Sequence, residues 1–194
     1  MNWVGNDIVD LSLADSNCWK RERYRFKLFS SFEQDIILNV PNPFRMLWLL
    51  WSMKESAYKI HLRHTRNRSF NPLRFACELT EEGKGRVEVD SYLFYTRSTI
   101  SERFIHTVAT PTNCEQIDVN FKVVMADEPA EVRCQLRHEL KRVHAENCRL
   151  EVEDIMFQKT FDGLPSLKVK NQSGMGHPCS ISHHGSFGAY AVAY

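Results

Sequence analysis

The sequence predicts an α+β fold of two similar lobes, each with a long helix packed on a small antiparallel sheet. Each half of the chain contains one long helical pattern, at about 43–62 and 128–146. Segments rich in β-branched and aromatic residues follow each helix, with turn-forming residues between them. The 194 residues are enough for one substantial domain or two small repeated lobes. We expect two pseudo-two-fold related lobes, at 1–112 and 113–194.

The elements of the first half follow from local signals. Residues 3–11 form a short strand-like run that ends in two acids. Residues 19–38 predict a charged helical segment, interrupted at Ser30-Ser31, with Ser31 and Gln34 as a capping box. After the main helix, strands are predicted at 73–79, 86–95 and 103–109.

The second half begins after the turn-forming residues Pro111-Thr112-Asn113, which we take as the boundary between the lobes. A strand at 118–125 precedes the second long helix, and Pro129 suits the first turn of that helix. Further strands are predicted at 152–159, 166–170, 179–182 and 189–193, the last two as a terminal hairpin.

The composition is that of an ordinary globular protein, with 43% hydrophobic and 25% charged residues. A net charge of +1 gives no general attraction to nucleic acid or to a membrane surface. The first residues lack the basic start and apolar run of a signal peptide, and the apolar run at 46–51 is too short to cross a bilayer. The six cysteines are scattered, as is typical of reduced thiols. We expect a cytoplasmic protein with no membrane or nucleic-acid partner.

Glu55 is the one carboxylate in a stripe of large apolar side chains on the main helix, whose N-cap is Asn42. The stripe recurs at alternating steps of four and three residues, which predicts one helical face: Phe44, Trp48, Trp51, Glu55, Tyr58 and Leu62. A buried carboxylate without a partner is costly. Its partner is either Lys59, four residues later, or a metal ion, and the ion pair is the commoner outcome of such spacing.

Three motifs, one of them around Glu55, resemble those of a known family. Residues 51–59, W-S-M-K-E-S-A-Y-K, resemble the W-x-x-K-E-[AS]-x-x-K signature of the 4'-phosphopantetheinyl transferases. Near the start, G-N-D-I-V-D at 5–10 resembles the G-x-D-I-V-E motif of that family. Near the end, S-I-S-H at 180–183 resembles its S-x-S-H motif. The three motifs occur in compatible places, so the resemblance is specific.

The resemblance also bears on the arrangement of the lobes. Larger members of the family are single chains whose two similar lobes meet at the active site. Leu136-Arg137, Gly163-Leu164-Pro165 and the S-x-S-H motif follow the order of the first lobe in those enzymes, but here they come second. Either the lobes are permuted, or the chain is an enlarged form of the small single-lobe carrier-protein synthases. The length favours two lobes, and then a monomer.

The resemblance implies transfer of the 4'-phosphopantetheine arm of coenzyme A to a serine of an acyl or peptidyl carrier protein, with release of adenosine 3',5'-bisphosphate. This chemistry requires cation placement, positioning and removal of the serine proton. Mg²⁺ is the expected cofactor, because it accepts a few carboxylates together with water and substrate phosphates. The alternative is a catalytically inactive module that binds coenzyme A and carrier proteins on the same scaffold.

The matching motif positions imply a set of site residues. Asp7 and Glu55 match the metal ligands, while Val9 stands where larger enzymes often have a third acid, so a metal contact of Asp10 stays open. Glu55 and Lys59 are the implied catalytic residues, with Glu55 taking the serine proton directly or through water. The implied coenzyme A-binding residues carry groups that donate to phosphates: Lys54, Lys59, Ser180, Ser182 and His183.

The S-x-S-H motif does not indicate a serine hydrolase. Residues this close on a strand alternate between its two faces and cannot build a nucleophile–base relay. Hydroxyls that bond the main chain of a hairpin are the simplest alternative to a ligand role. His177, Cys179, His183 and His184 are the closest cluster of potential zinc ligands, but they overlap the motif, which favours the coenzyme A interpretation.

Two basic segments, 19–27 and 61–68, allow a further interpretation. A mixed charge run is usually a solvated helix face. The resemblance adds a function, since a local basic surface would steer and dock the acidic helix of a carrier protein. Nucleic-acid binding is a third possibility, which the net charge near zero disfavours.

Overall fold

The computed structural model describes residues 3–112, 117–160, 163–174 and 176–194. Within them lie two five-stranded antiparallel sheets and four α-helices, which confirms the predicted α+β fold. Both sheets have the same strand order: the first strand of the lobe lies at an edge beside the last strand, and the others follow in reverse chain order. A long helix stands between the first and second strand of each lobe. The two lobes are therefore similar in topology, as predicted.

The first lobe contains three helices, α1 (Glu22–Leu28), α2 (Ser31–Leu38) and α3 (Pro43–Thr65). Its sheet has the order β1-β5-β4-β3-β2. The strands are β1 (Gly5–Asp10), β2 (Ala76–Glu81), β3 (Lys84–Val89), β4 (Tyr92–Ile100) and β5 (Phe104–Thr110).

Two predictions for this lobe are wrong in detail. The segment 86–95 is not one strand, because Asp90, with a left-handed φ of 53°, turns the chain between β3 and β4. The capping box of α2 lies one residue earlier than expected: Ser30 accepts from the Glu33 N–H, and the Glu33 carboxylate accepts from the Ser30 N–H. Phe29 and Ser30 therefore separate α1 from α2.

The second lobe contains one long helix, α4 (Pro129–Cys148), and a sheet with the order β6-β10-β9-β8-β7. The strands are β6 (Val119–Met125), β7 (Ile155–Lys159), β8 (Pro165–Val169), β9 (His177–His184) and β10 (Phe187–Ala193). The terminal hairpin of β9 and β10 forms as predicted. The expected boundary between 112 and 113 reaches the segment 113–116, which lies outside the described residues, so the boundary stays a prediction.

The main helix begins as predicted, but its apolar stripe is not its most buried face. Asn42 Oδ1 accepts a hydrogen bond from the Arg45 N–H at 3.0 Å. Four members of the stripe are half-buried against the core: Phe44, Trp48, Trp51 and Tyr58. The fully buried apolar residues lie beside the stripe: Leu47, Leu50, Ala57 and Ile60. Glu55 therefore lies on a flank of α3 and keeps partial access to solvent.

The face of α3 toward β1 carries small residues, because the two main chains approach closely. A Cβ added to Gly5 would lie 2.0 Å from the main-chain oxygen of Ser56. The hydroxyl of Ser56 donates across the contact to the main-chain oxygen of Thr107 on β5, at 3.0 Å. This close packing fixes the position of β1, and with it Asp7, relative to α3.

Strand β1 is shared between the lobes, because its side chains alternate between two faces. Gly5, Asp7 and Val9 face α3. Asn6, Ile8 and Asp10 face β9, β10 and the turn between them. One face of β1 therefore contacts α3 of the first lobe, and the other face contacts β9 and β10 of the second lobe. Among the described residues no helix is long and apolar enough to span a bilayer.

Candidate active site

Asp7, Glu55 and Lys59 come together where β1 packs on α3. Lys59 Nζ lies 3.7 Å from Asp7 Oδ1 and donates a hydrogen bond of 2.5 Å to the main-chain oxygen of Asn6. Glu55, one turn earlier on α3, lies in the electrostatic field of both Asp7 and Lys59. The fold therefore brings together three of the predicted residues, from two separate motifs.

Burial raises the pKa of both carboxyls in this group. The pKa of Glu55 rises to about 7, because burial and the neighbouring Asp7 charge disfavour ionisation more than Lys59 favours it. The pKa of Asp7 is also raised, since burial outweighs the attraction of Lys59. Lys59 therefore does not offset the effects of burial and of the neighbouring carboxyl, and a bound cation would favour the ionised forms of Asp7 and Glu55.

The pair of carboxyls, Asp7 and Glu55, fits Mg²⁺ better than a metal ion whose ligands all come from protein side chains. Among the described residues there is no group of three or more His, Cys, Asp or Glu side chains placed to hold a metal. Two carboxylates suit Mg²⁺, which keeps waters and takes substrate phosphates as further ligands. The sequence also allowed an ion pair of Glu55 with Lys59. In the described part of the chain, Lys59 instead forms its ion-pair contact with Asp7, while it still lowers the pKa of Glu55.

Asp10 serves the fold on the opposite face of β1. Its Oδ1 accepts from the N–H and the hydroxyl of Ser12, at 2.9 and 2.6 Å, and its Oδ2 accepts from the Ser186 N–H at 3.3 Å. Burial alone would raise the pKa of Asp10, but these hydrogen bonds lower it. The Asp10 N–H also donates to His184 Nδ1 at 2.9 Å. These contacts favour a structural role, the fastening of β1 to the β9–β10 turn.

Lys54 is separate from this group, although Glu55 follows it directly. Its Nζ lies 2.8 Å from Glu33 Oε2 and donates to the main-chain oxygen of Pro72 at 2.9 Å. The side chain has no exposed surface. The expectation that Lys54 binds coenzyme A is therefore corrected, because a fully buried ammonium group cannot reach a ligand from solvent.

Ser180 and Ser182 face β1, and both are buried. Ser180 Oγ accepts from the main-chain N–H of Asn6, and Ser182 Oγ accepts from Asn6 Nδ2, each at 2.9 Å. The expectation that these hydroxyls donate to coenzyme A stays a prediction, because a hydroxyl that accepts one hydrogen bond can still donate another. In the structure they join the second lobe to the first.

His183 points away from the two serines and is exposed, as the alternation of side chains along β9 requires. It lines a cavity of about 230 Å³ on the α4 side of the second sheet. The other lining residues are Arg133, Arg137, Phe157, Lys159, Gly163, Pro165 and Ile181. Three of these are cations, and none of the described lining residues is acidic. Such a cavity suits the phosphates of a nucleotide.

Helix α3 connects the carboxylate group to this cavity. Arg63, one turn beyond Lys59, donates to the main-chain oxygen of Pro165, which lines the cavity, at 2.8 Å. It also donates to the oxygen of Cys179 on β9 at 2.5 Å. Arg63 is buried, so the interpretation of segment 61–68 as a solvated face is wrong at this position. The same helix thus carries Glu55 and Lys59 and contacts the cavity wall.

Comparison with known families identifies the first lobe. A family model of the 4'-phosphopantetheinyl transferase superfamily matches residues 4–116, more than half of the 194 residues. The chain belongs to this superfamily. The matched range contains Asp7, Glu55 and Lys59, whereas the S-x-S-H motif lies beyond it. No curated protein compared with the sequence matched it.

For a member of the phosphopantetheinyl transferase superfamily, the cavity adds cationic residues to which the sequence analysis assigned no ligand role. Arg133 and Arg137 lie four residues apart on α4 and therefore share a helical face, a signal that the sequence contains. Lys159, at the end of β7, approaches them only through the fold of the sheet. The guanidinium of Arg137 lies 5.1 Å from the ring centre of Phe157, which helps to hold it at the cavity.

The first basic segment of this superfamily member is partly a solvated helix face, as predicted. Arg23 and Lys27 on α1 are exposed, and Phe26 between them is 57% exposed. Arg25 is buried, and its guanidinium donates to the main-chain oxygen of Trp19. The outer face of α1 therefore combines cations with a large apolar side chain.

Proposed function

We propose that this protein transfers the 4'-phosphopantetheine arm of coenzyme A to a serine of an acyl or peptidyl carrier protein. The grouping of Asp7, Glu55 and Lys59 between β1 and α3 carries the proposal. Membership of the superfamily supports phosphopantetheinyl transfer in general. The assignment of a holo-acyl-carrier-protein synthase activity rests on the resemblance of the sequence motifs, and that of Mg²⁺ as cofactor rests on the chemistry of the carboxylate group.

Asp7 and Glu55 are the proposed ligands of Mg²⁺. When bound, the ion neutralises negative charge on the phosphates of coenzyme A. Lys59, held by the main-chain oxygen of Asn6, presents its ammonium group beside the same carboxylates. It is therefore placed to bind a phosphate oxygen as charge develops during transfer.

The basic cavity of the second lobe is the proposed site for the nucleotide end of coenzyme A. Arg133, Arg137, Lys159 and His183 line it from three elements of the lobe, and all four donate hydrogen bonds to phosphate oxygens when charged. The contact of Arg63 with the cavity wall holds this end close to α3. One coenzyme A molecule would then lie across both lobes.

The proposed reaction is a displacement at phosphorus. The hydroxyl oxygen of the carrier serine forms a bond to the phosphorus that bears pantetheine, and the bond from that phosphorus to the departing phosphate breaks. Adenosine 3',5'-bisphosphate leaves, and the serine proton must be accepted. Glu55 is the proposed acceptor, directly or through a water molecule, because it is a partly exposed carboxylate beside Asp7 and Lys59.

The partners in this proposal are coenzyme A and a carrier protein, with no membrane or nucleic acid. The exposed cations of α1 would face the acidic helix of the carrier. Both parts of the site lie in one chain, which supports a monomer. The five cysteines in the described part of the chain are free thiols, which supports a cytoplasmic location.

Intact-protein mass spectrometry of apo carrier proteins, incubated with this protein, coenzyme A and Mg²⁺, tests the proposal. We expect the carrier to gain the mass of one phosphopantetheine arm. Asp7→Asn, Glu55→Gln and a chelator should each abolish the gain. Glu78→Gln is the matched control, because Glu78 is an exposed carboxylate paired with Arg86 on the outer part of the sheet. Coenzyme A binding without transfer to any of a panel of carriers would instead indicate the inactive binding module.

A further inference from the structure

Asn6 is a fully buried polar residue at the junction of the two lobes. Its main-chain N–H donates to Ser180 Oγ and its Nδ2 donates to Ser182 Oγ, both at 2.9 Å. Its Nδ2 also lies 3.3 Å from His106 Nε2 on β5. Its main-chain oxygen accepts from Lys59 Nζ at 2.5 Å. One residue therefore contacts β9, β5 and α3 at once.

These contacts divide between the main chain and the side chain. The bonds to Lys59 and Ser180 use main-chain atoms, which any residue other than proline supplies. The bonds to Ser182 and His106 use the side-chain amide, so they depend on asparagine at this position. Burial lowers the pKa of His106 to about 4, which keeps its imidazole neutral and suited to an uncharged partner. The amide is uncharged, as a junction without exposed surface requires, and its nitrogen has two partners while its Oδ1 has no hydrogen-bond partner among the described residues.

Ser182 precedes His183 directly, so the anchor on Ser182 also limits where His183 points. On the other side of β1, Asp7 follows Asn6 and faces Lys59. A movement of β9 relative to β1 would therefore change the separation between the basic cavity and the carboxylate group. In a reaction that needs one ligand held at both ends, an error of about 1 Å lowers the rate strongly.

We propose that Asn6 is a positioning residue, whose side-chain amide fixes β9 to β1 and so sets the distance between the two halves of the coenzyme A site. The inference rests on the proposed function. Asn6 contacts no substrate in this arrangement. It acts through Ser182 and His183 on one side and through the main chain next to Asp7 on the other.

The affinities for two ligands of different length distinguish a positioning role of Asn6 from a general effect on the stability of the protein. Adenosine 3',5'-bisphosphate carries the nucleotide end of coenzyme A and needs the basic cavity alone. Intact coenzyme A needs both halves of the site. In Asn6→Ala we expect the dissociation constant of coenzyme A with Mg²⁺ to rise about tenfold, while that of adenosine 3',5'-bisphosphate stays within about twofold. Calorimetric titration of the folded variants measures both constants.

Double-mutant cycles in the affinity for coenzyme A identify the contact. Ser182→Ala removes the same hydrogen bond from the other side, so the effects of Asn6→Ala and Ser182→Ala should not add. Ser180→Ala is the matched control, because its partner is the main-chain N–H, which alanine at position 6 retains. Its effect should add to that of Asn6→Ala. Ser182→Ala alone also tests the proposal by the same two ligands, should Asn6→Ala fail to fold.

The possible outcomes distinguish this inference from the proposed function. Equal changes for both ligands, or no change for either, in a folded Asn6→Ala or Ser182→Ala variant would overturn the positioning role. Additive effects in the Asn6–Ser182 cycle would do the same. A wild-type protein that binds coenzyme A without modifying any carrier would overturn the proposed transfer, yet the comparison of the two ligands would still decide the role of Asn6.

Discussion

Lys54 and Glu33 form an ion pair in which both side chains are almost completely buried, with Nζ 2.8 Å from Oε2. The pair is surrounded by further hydrogen bonds. Glu33 Oε1 accepts from the Cys77 N–H at 2.9 Å, and Glu33 Oε2 accepts from the Ser30 N–H at 2.8 Å. Lys54 donates to Pro72 as well. The pair therefore joins α2, α3 and β2 behind the part of α3 that presents Glu55.

Lys54→Met should destabilise the protein by about 3–5 kcal/mol, because it leaves the Glu33 carboxylate buried without its cation. Urea unfolding monitored by circular dichroism measures the change in the free energy of unfolding. Lys59→Met is the matched control on the same helix. The Lys59 side chain is 26% exposed, and we expect a loss of about 1 kcal/mol or less there. A similar small loss for Lys54→Met would contradict the structural role of the buried pair.

Glu55 should make the metal-free protein less stable as the pH rises. Its pKa is about 7 in the folded protein, against 4.5 for an unperturbed glutamate side chain, so the folded state favours the protonated form. The associated stability is fully present below about pH 4.5 and is lost as the pH rises through 7. Its size is at most about 3 kcal/mol, reduced by the partial exposure of the carboxyl. Asp7, whose pKa is also raised, contributes with the same sign.

Glu55→Gln should therefore raise the melting temperature of the metal-free protein at pH 8 and change it little at pH 4. Mg²⁺ should stabilise the wild-type protein at pH 8, because binding to the folded state adds to stability. The variant should lose most of that gain. Thermal unfolding with and without Mg²⁺, at both pH values, measures these differences. If the variant were less stable than the wild type in metal-free buffer at pH 8, the ionised Glu55 carboxylate would not destabilise the folded protein.

The basic cavity should determine the affinity for coenzyme A without a large effect on turnover. His183→Ala and Arg137→Ala should each raise the KM for coenzyme A about tenfold or more, since each removes a charged or polar contact to phosphate. His138→Ala is the matched control, because His138 lies on α4 but lines a different groove. Steady-state kinetics with a fixed carrier protein measure the effect. An unchanged KM in both cavity variants would place the nucleotide elsewhere.

Local signals in the sequence were sufficient for much of the fold. Asn42 and Pro43 predicted the start of α3, and alternation along β9 separated His183 from the two serines. The turn at Asp90 was missed, because an aspartate in the left-handed region interrupts an otherwise continuous strand pattern. Short-range patterns thus located the elements well and their ends less well.

The contacts of buried polar residues were not predictable from local patterns. The partner of Lys54 is Glu33, on a different helix, and the periodicity of α3 alone does not indicate this contact. Ser182 bonds to Asn6, 176 residues away in the chain. Family motifs gave the identities of such residues but not their partners. The packing of β1 between the two lobes determines which of the motif residues can face a ligand.

The outer face of α1 should determine the affinity for the carrier protein. Arg23 and Lys27 are exposed on either side of Phe26, and a large apolar side chain flanked by cations is typical of a protein interface. Reversal of both charges, Arg23→Glu with Lys27→Glu, should raise the KM for an acidic carrier about tenfold at low salt. The KM for coenzyme A should not change, because neither residue lines the basic cavity.

Salt dependence distinguishes docking on α1 from a general effect of charge. Because exposed charges are screened at high ionic strength, the carrier KM of the wild type and of the double variant should converge as salt is added. Lys170→Glu, an exposed cation of the second lobe, is the control for net charge and should leave the carrier KM nearly unchanged. If Lys170→Glu and the α1 variant raised this KM equally, the attraction would come from the whole surface. An effect confined to α1 would assign the carrier to the first lobe, which also contains Asp7 and Glu55.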